Sequence, residues 1–315
     1  MSGPLPPGPA RPTAFRTWLL AVRPATLPAA ASGVVVGLGA AVAVGTPLRL
    51  DTALACLAVA LLLQVLANLA NDLSDHRRGA DTPDRAGPTR VAAAGLVSER
   101  QLEVAIGLVI GAAGLVGLWL VAVGGVAILV LGLLAVVAAL AYTGGPFPYG
   151  YRALGEVFVF VFFGLVAVVG TAYLQALRLN VLFFLAAIPV GALTTAILVV
   201  NNLRDIPTDA AAGKRTLAVR LGRRRTALEY AFLLGTAFAV PATLAGVGLS
   251  AGAGLVALAL GLPLVALPLA VPLLRTVRDF EEPRELNLVL KGTARLALLF
   301  AVLFALGLAV EGFPR

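Results

Sequence analysis

Apolar residues in this chain run in long blocks rather than in alternation. The stretch 53–71, for example, is interrupted only by Gln64, Asn68 and Asn71. A helix needs about 20 mostly apolar residues to cross the hydrocarbon core of a bilayer. By that measure the sequence predicts nine spans, at 26–45, 53–71, 102–122, 124–142, 154–174, 181–200, 227–248, 252–274 and 294–311. Gly124-Gly125 and the region of Ser250 supply tight turns between neighbouring spans. The short alternating segments of a membrane β-barrel are missing from the sequence. The predicted fold class is therefore all-α: a polytopic membrane protein with nine helices around a central cavity, as two four-helix units plus a ninth helix. Residues 1–15, rich in Pro and Gly near their start, read as a mobile cytoplasmic tail, and 16–315 as one intramembrane domain.

Composition agrees with the pattern. Of 315 residues, 60% are hydrophobic and 13% charged, against roughly 45–50% and about 25% in a soluble domain. An ordinary soluble enzyme is excluded, and the single cysteine, Cys56, excludes a disulfide scaffold. The net charge of +8 changes the picture only through its distribution. With nine spans, 21 of the 24 Lys and Arg residues fall on one side, leaving Arg49, Arg178 and Arg315 opposite. The positive-inside rule puts the amino terminus and the basic loops in the cytoplasm of a multi-pass cell-membrane protein and the carboxy terminus outside. Topology and anionic lipid account for the charge, so no nucleic-acid partner is needed.

Six of the eight aspartates lie in two short segments at the cytoplasmic ends of spans 2 and 6. The first contains Asn68, Asn71, Asp72, Asp75 and Asp81, with Asp84 just beyond. The second contains Asn201, Asn202, Asp205 and Asp209, followed by Gly213-Lys214. Helical spacing stacks Asn68, Asp72 and Asp75 on one face, and Asn201, Asp205 and Asp209 on another, with Pro207 loosening the second helix end. Carboxylates at matched positions in two parallel units are expected to meet. Mg²⁺ is held by a few carboxylates together with substrate phosphates, and cationic side chains contact further phosphate oxygens. The pattern predicts a metal–diphosphate site at the mouth of an apolar cavity, suited to a substrate with a diphosphate head and a hydrocarbon tail.

The same residues carry a resemblance. Arg23-Pro24-Ala25-Thr26-Leu27-Pro28, Asn71-Asp72-x-x-Asp75 with Gly79-x-Asp81, Asp84-Arg85-x-Gly87-Pro88-x-Arg90, Tyr142-Thr143-Gly144-Gly145-Pro146, Leu154-Gly155-Glu156 and Asn201-Asn202-x-Arg204-Asp205 with Gly213-Lys214 occur in this order. Over nearly its whole length the chain resembles the UbiA-type intramembrane prenyltransferases, and within them the 1,4-dihydroxy-2-naphthoate branch of menaquinone biosynthesis. The third aspartate, Asp81, departs from the spacing of the broader superfamily and fits that branch. The resemblance implies Mg²⁺ between the two segments and a polyprenyl diphosphate donor. It also implies prenyl transfer to 1,4-dihydroxy-2-naphthoate, with loss of diphosphate and CO₂.

Asp72, Asp75, Asp205 and Asp209 are then the expected metal ligands and, with Lys214, the catalytic group. Asn68, Asn71, Asn201 and Asn202 are expected as polar support, and Asp81, Arg78 and Arg90 as substrate contacts. Tyr142 and Tyr149 would line the path of an allylic cation, and Glu156 would cap its helix or approach the acceptor. Competing readings are a relative using homogentisate, 4-hydroxybenzoate or a porphyrinoid, and, more remotely, a transporter. Against transport, the acidic groups sit at one end of the spans rather than near the midplane.

Overall fold

The computed structural model describes residues 12–80 and 86–310, and these residues form helices and connecting turns, with no strand among them. The helices are α1 (Ala14–Val22), α2 (Leu27–Ala43), α3 (Leu50–Arg77), α4 (Glu99–Gly124) and α5 (Val126–Ala141). They continue with α6 (Gly155–Ala176), α7 (Val181–Arg204), α8 (Ile206–Ala211), α9 (Leu217–Ser250), α10 (Gly254–Asp279) and α11 (Leu286–Leu308). Eight segments among the described residues are long and apolar enough to cross a membrane. The remaining expected span corresponds to α5, an apolar helix of 16 residues. At 1.5 Å per residue it rises about 24 Å, less than the roughly 30 Å hydrocarbon core.

The expected tail is partly a helix. Residues 1–11 lie outside the described residues, but Thr13 caps α1 by accepting the Arg16 N–H at 3.4 Å. Arg23 then takes a left-handed conformation, with φ 54°, and a 3₁₀ turn over Pro24–Thr26 redirects the chain into α2. Nine residues are too few to register as a span, which is why the apolar ruler passes over α1.

Helix α7 is the axis of the bundle. Its most apolar 18-residue stretch is 78% buried, whereas the corresponding stretch of α4 is 11% buried and turns Leu108, Leu115 and Leu118 outward. Around α7 pack α2, α6, α9 and α11. Membrane helices approach closely where small residues remove side-chain bulk. A Cβ on Gly164 of α6 would stand 2.6 Å from the Gly191 Cα of α7, and one on Gly39 of α2 would stand 2.5 Å from the Ala305 Cα of α11. The α6 contact coincides with a π-helical stretch at Phe160–Val166. Near the base of that stretch, Glu156 of α6 meets Asn202 of α7.

Candidate active site

Helix α3 persists to Arg77, so Asp72 and Asp75 emerge one turn apart, both buried. Asp72 receives the returning loop. Its two carboxylate oxygens accept the Val91 N–H at 3.1 Å and the Ala92 N–H at 3.3 Å, and Arg23 Nη2 lies 4.0 Å away. Val91 and Ala92 also pack with Ala21, Leu69 and Leu73, so the loop is seated by apolar contact as well. Arg23 is aimed from below: the Asn68 amide donates to the Val22 carbonyl at 2.8 Å and the Thr26 hydroxyl at 3.0 Å, pinning the turn that carries Arg23. Asn68 thus serves the α1–α2 turn rather than sharing a face directed at ligand. Asn71 accepts the Thr143 hydroxyl at 3.1 Å and ties the segment to the 142–146 turn.

Asp75 faces the second segment. It accepts the Tyr151 hydroxyl at 3.1 Å and Arg90 Nη2 at 3.4 Å, and Lys214 Nζ stands 3.9 Å from its Oδ2. The same Lys214 Nζ is 3.6 Å from Asp209 Oδ1. One ammonium therefore spans both acidic segments.

The second segment does not continue as one helix. α7 ends at Arg204, and Pro207 sits in the first turn of α8, where its missing N–H costs nothing. The Asp209 N–H still bonds the Asp205 carbonyl at 2.8 Å, which keeps Asp209 one turn above Asp205. Asp205 accepts a bidentate pair from Arg204, at 2.8 and 2.7 Å. Arg204 also donates to Asn201 at 2.8 Å and to Asn287 of α11 at 2.9 Å, and Asn287 holds the Ala86 carbonyl at 2.9 Å. Gly213, at φ 70°, makes the turn that returns Lys214 over Asp209. Only glycine adopts this left-handed backbone freely.

Around this centre, Arg78 donates to the Thr143 and Gly145 carbonyls and lies over the Tyr151 ring, so it braces the 142–146 turn from its exposed side. Arg90 is buried beside Asp75. Tyr142 packs edge-on to Tyr149 at 5.3 Å, and Tyr149 stacks on Phe158 at 3.9 Å, giving an aromatic wall that leads toward α6. Glu156 accepts the Asn202 amide at 2.9 Å. Asp81 lies outside the described residues.

Sequence reasoning missed Tyr151 and Asn287, and left Arg23 and Arg204 as motif residues only. Tyr151 has its own signal, two residues beyond Tyr149 in a turn rich in aromatics. Burial and then the Asp75 carboxylate push its hydroxyl far above the ordinary tyrosine range. It therefore stays protonated and donates to Asp75. Arg204 was hidden among the topology charges.

Among the described residues, no three His, Cys, Asp or Glu side chains gather at one point. The donor chemistry nonetheless suits a hard divalent cation. Asp72 and Asp205 are engaged by amides and by Arg204, whereas Asp75 and Asp209 face one shared cation, Lys214, from opposite segments. One or two carboxylates completed by substrate phosphates is an ordinary Mg²⁺ arrangement.

The sequence profile of the UbiA prenyltransferase family matches residues 32–290. The chain belongs to that family. It is 38% identical over 308 residues to a 1,4-dihydroxy-2-naphthoate octaprenyltransferase of Haemophilus influenzae, covering 94% of this chain and 96% of the relative. It is 45% identical over 223 residues to the protein of the same name from Mycobacterium tuberculosis, covering 71% and 76%. In fold it is similar to a UbiA homologue from Archaeoglobus fulgidus solved with GPP and Mg²⁺, with a TM-score of 0.63 at 14% identity, covering 93% of this chain and 100% of that one.

Proposed function

We propose that this multi-pass membrane protein transfers a polyprenyl group from its diphosphate to 1,4-dihydroxy-2-naphthoate, releasing diphosphate and CO₂ and giving demethylmenaquinol. The observation that carries the reading is Lys214 Nζ standing between Asp75 and Asp209, at 3.9 and 3.6 Å. The names of the Haemophilus and Mycobacterium relatives support the acceptor.

In this reading Lys214 and Arg90 hold the diphosphate oxygens through charge-assisted hydrogen bonds, and Arg23 adds positive charge from beside Asp72. Asp75 and Asp209 would hold Mg²⁺, which supplies charge neutralisation on the leaving diphosphate. Tyr151 orients Asp75, and Arg204 orients Asp205. The faces of Tyr142 and Tyr149 stabilise positive charge developing on the allylic carbon, and the apolar bundle withholds water from it. The basic loops, and the site with them, are proposed to face the cytoplasm.

Full-length protein supplied with an isoprenyl diphosphate and a panel of acceptors tests the function. Product should form with 1,4-dihydroxy-2-naphthoate, only with a divalent metal, and at a rate well above that with homogentisate or 4-hydroxybenzoate. Faster turnover of either of those would reassign the acceptor, and full turnover in excess chelator would remove the metal.

A further inference from the structure

Beside the diphosphate centre lies a second polar group that the charge-neutralising residues do not satisfy. Glu156, in the first turn of α6, is 7% exposed, and Asn202, in the last turn of α7, is 2% exposed. The Asn202 amide donates to Glu156 Oε1 at 2.9 Å. That leaves Glu156 Oε2 and Asn202 Oδ1 buried with no hydrogen-bond partner among the described residues. Glu229 Oε2, on α9, is in the same condition, and its carboxylate is within electrostatic reach of Glu156. Three orphaned acceptor oxygens from three helices thus share one neighbourhood. A buried acceptor without a donor is costly, and what would offset the cost here is a donor-bearing ligand.

The surroundings indicate its polarity. Tyr142 is within electrostatic reach of Glu156 and also of Asp75 and Asp209. Its ring carbon Cε2 would meet a Cβ on Gly155 at 3.3 Å, so the ring borders the turn that bears Glu156. Tyr142 therefore links the orphaned oxygens at one end to the Lys214 centre at the other. A flat aromatic molecule lying along it, with an anionic group on one side and a hydroxyl on the other, has only one favourable orientation. Its carboxylate is drawn toward Lys214 and Arg90. Its free hydroxyl is drawn the opposite way.

We propose that Glu156 and Asn202 form the hydroxyl-recognition subsite for the aromatic acceptor, accepting the hydrogen bond of the ring hydroxyl remote from the carboxylate and so fixing which way round the ring binds. This rests on the prenyl-transfer reading above. In 1,4-dihydroxy-2-naphthoate the 1-hydroxyl adjoins the carboxylate, whereas the 4-hydroxyl points away from it. The 4-hydroxyl is the donor that Glu156 Oε2 and Asn202 Oδ1 await. A site built to bond a substrate hydroxyl discriminates strongly against the analogue lacking it, because its own buried groups are then left unpaired.

The test is the affinity of the full-length protein in lipid nanodiscs for 1,4-dihydroxy-2-naphthoate and for 1-hydroxy-2-naphthoate, with turnover measured on the same preparations. Wild-type protein should bind the dihydroxy compound at least about tenfold more tightly, as expected where buried acceptor oxygens are otherwise left unsatisfied. Glu156→Gln keeps the size of the side chain and its bond from Asn202 but turns the free oxygen into a donor. It should reduce that preference to about twofold or less while the KM for the prenyl diphosphate is unchanged. Equal affinities in wild type, a preference undiminished in the variant, or a parallel rise in the prenyl diphosphate KM would each overturn the subsite. The wild-type comparison needs no variant to fold. Turnover separates the two levels: wild type that prenylates naphthoates yet binds both equally removes the subsite alone, whereas wild type that prenylates no naphthoate removes the reading beneath it as well.

Discussion

Asp72 and Asp75 are three residues apart and of one type, yet the structure gives them different work. Asp72 spends both oxygens on the amides of Val91 and Ala92, so it fixes the chain at those two residues against α3. Replacing it with Asn sets an amide NH₂ against one of those N–H groups. The loss expected is about 1–3 kcal/mol for an unsatisfied buried donor, and limited proteolysis should then cut the 86–97 region faster than in wild type. Asp75 instead looks outward to Lys214 and is oriented by the Tyr151 hydroxyl. Tyr151→Phe removes that single bond while leaving the ring in place, and steady-state assays should find kcat/KM reduced by about tenfold or more with thermal stability nearly unchanged. The four aspartates were legible from sequence because carboxylates at a membrane helix end are rare and conspicuous. Their division of labour was not, since it depends on Arg204, Tyr151 and the amides of a loop, none of which differs by type from ordinary loop residues.

Elements were legible to the extent that their apolar blocks are long. Helices α3, α4 and α7 stand where the twenty-residue ruler puts them, whereas α1 is too short to register and α5, at 16 residues, falls below the eight that qualify as spans. The break at Asp205 follows from Pro207, but the direction of the chain after it depends on contacts with α9. Close approach between elements is equally invisible in hydropathy. Gly164 and Gly191 read as two small residues in two apolar blocks, yet a Cβ at Gly164 would collide with backbone. Gly164→Val is therefore expected to destabilise the fold by about 1–3 kcal/mol, seen as a lower melting temperature in detergent. Because α6 carries Glu156, the same change should weaken acceptor binding more than prenyl diphosphate binding.

At the scale of the whole molecule, the charge pattern and the site make one statement. The basic loops and both acidic segments share an end of the bundle, so the side that the positive-inside rule assigns to the cytoplasm is also the side where a soluble acceptor and metal ion would enter. A reporter fused after Arg315 should accordingly be active only as a non-cytoplasmic domain. A cytoplasmic signal would revise the orientation proposed for the carboxy terminus. Prenyl transfer at this centre depends on the two segments acting as one binding site. That is tested most directly by the Mg²⁺ dependence of prenyl diphosphate affinity in wild type, Asp75→Asn and Asp209→Asn. Mg²⁺ should tighten binding in wild type and have little effect in either variant, although the two positions lie in separate segments of the chain. A variant in which Mg²⁺ still tightens binding to the wild-type extent would contradict the shared site.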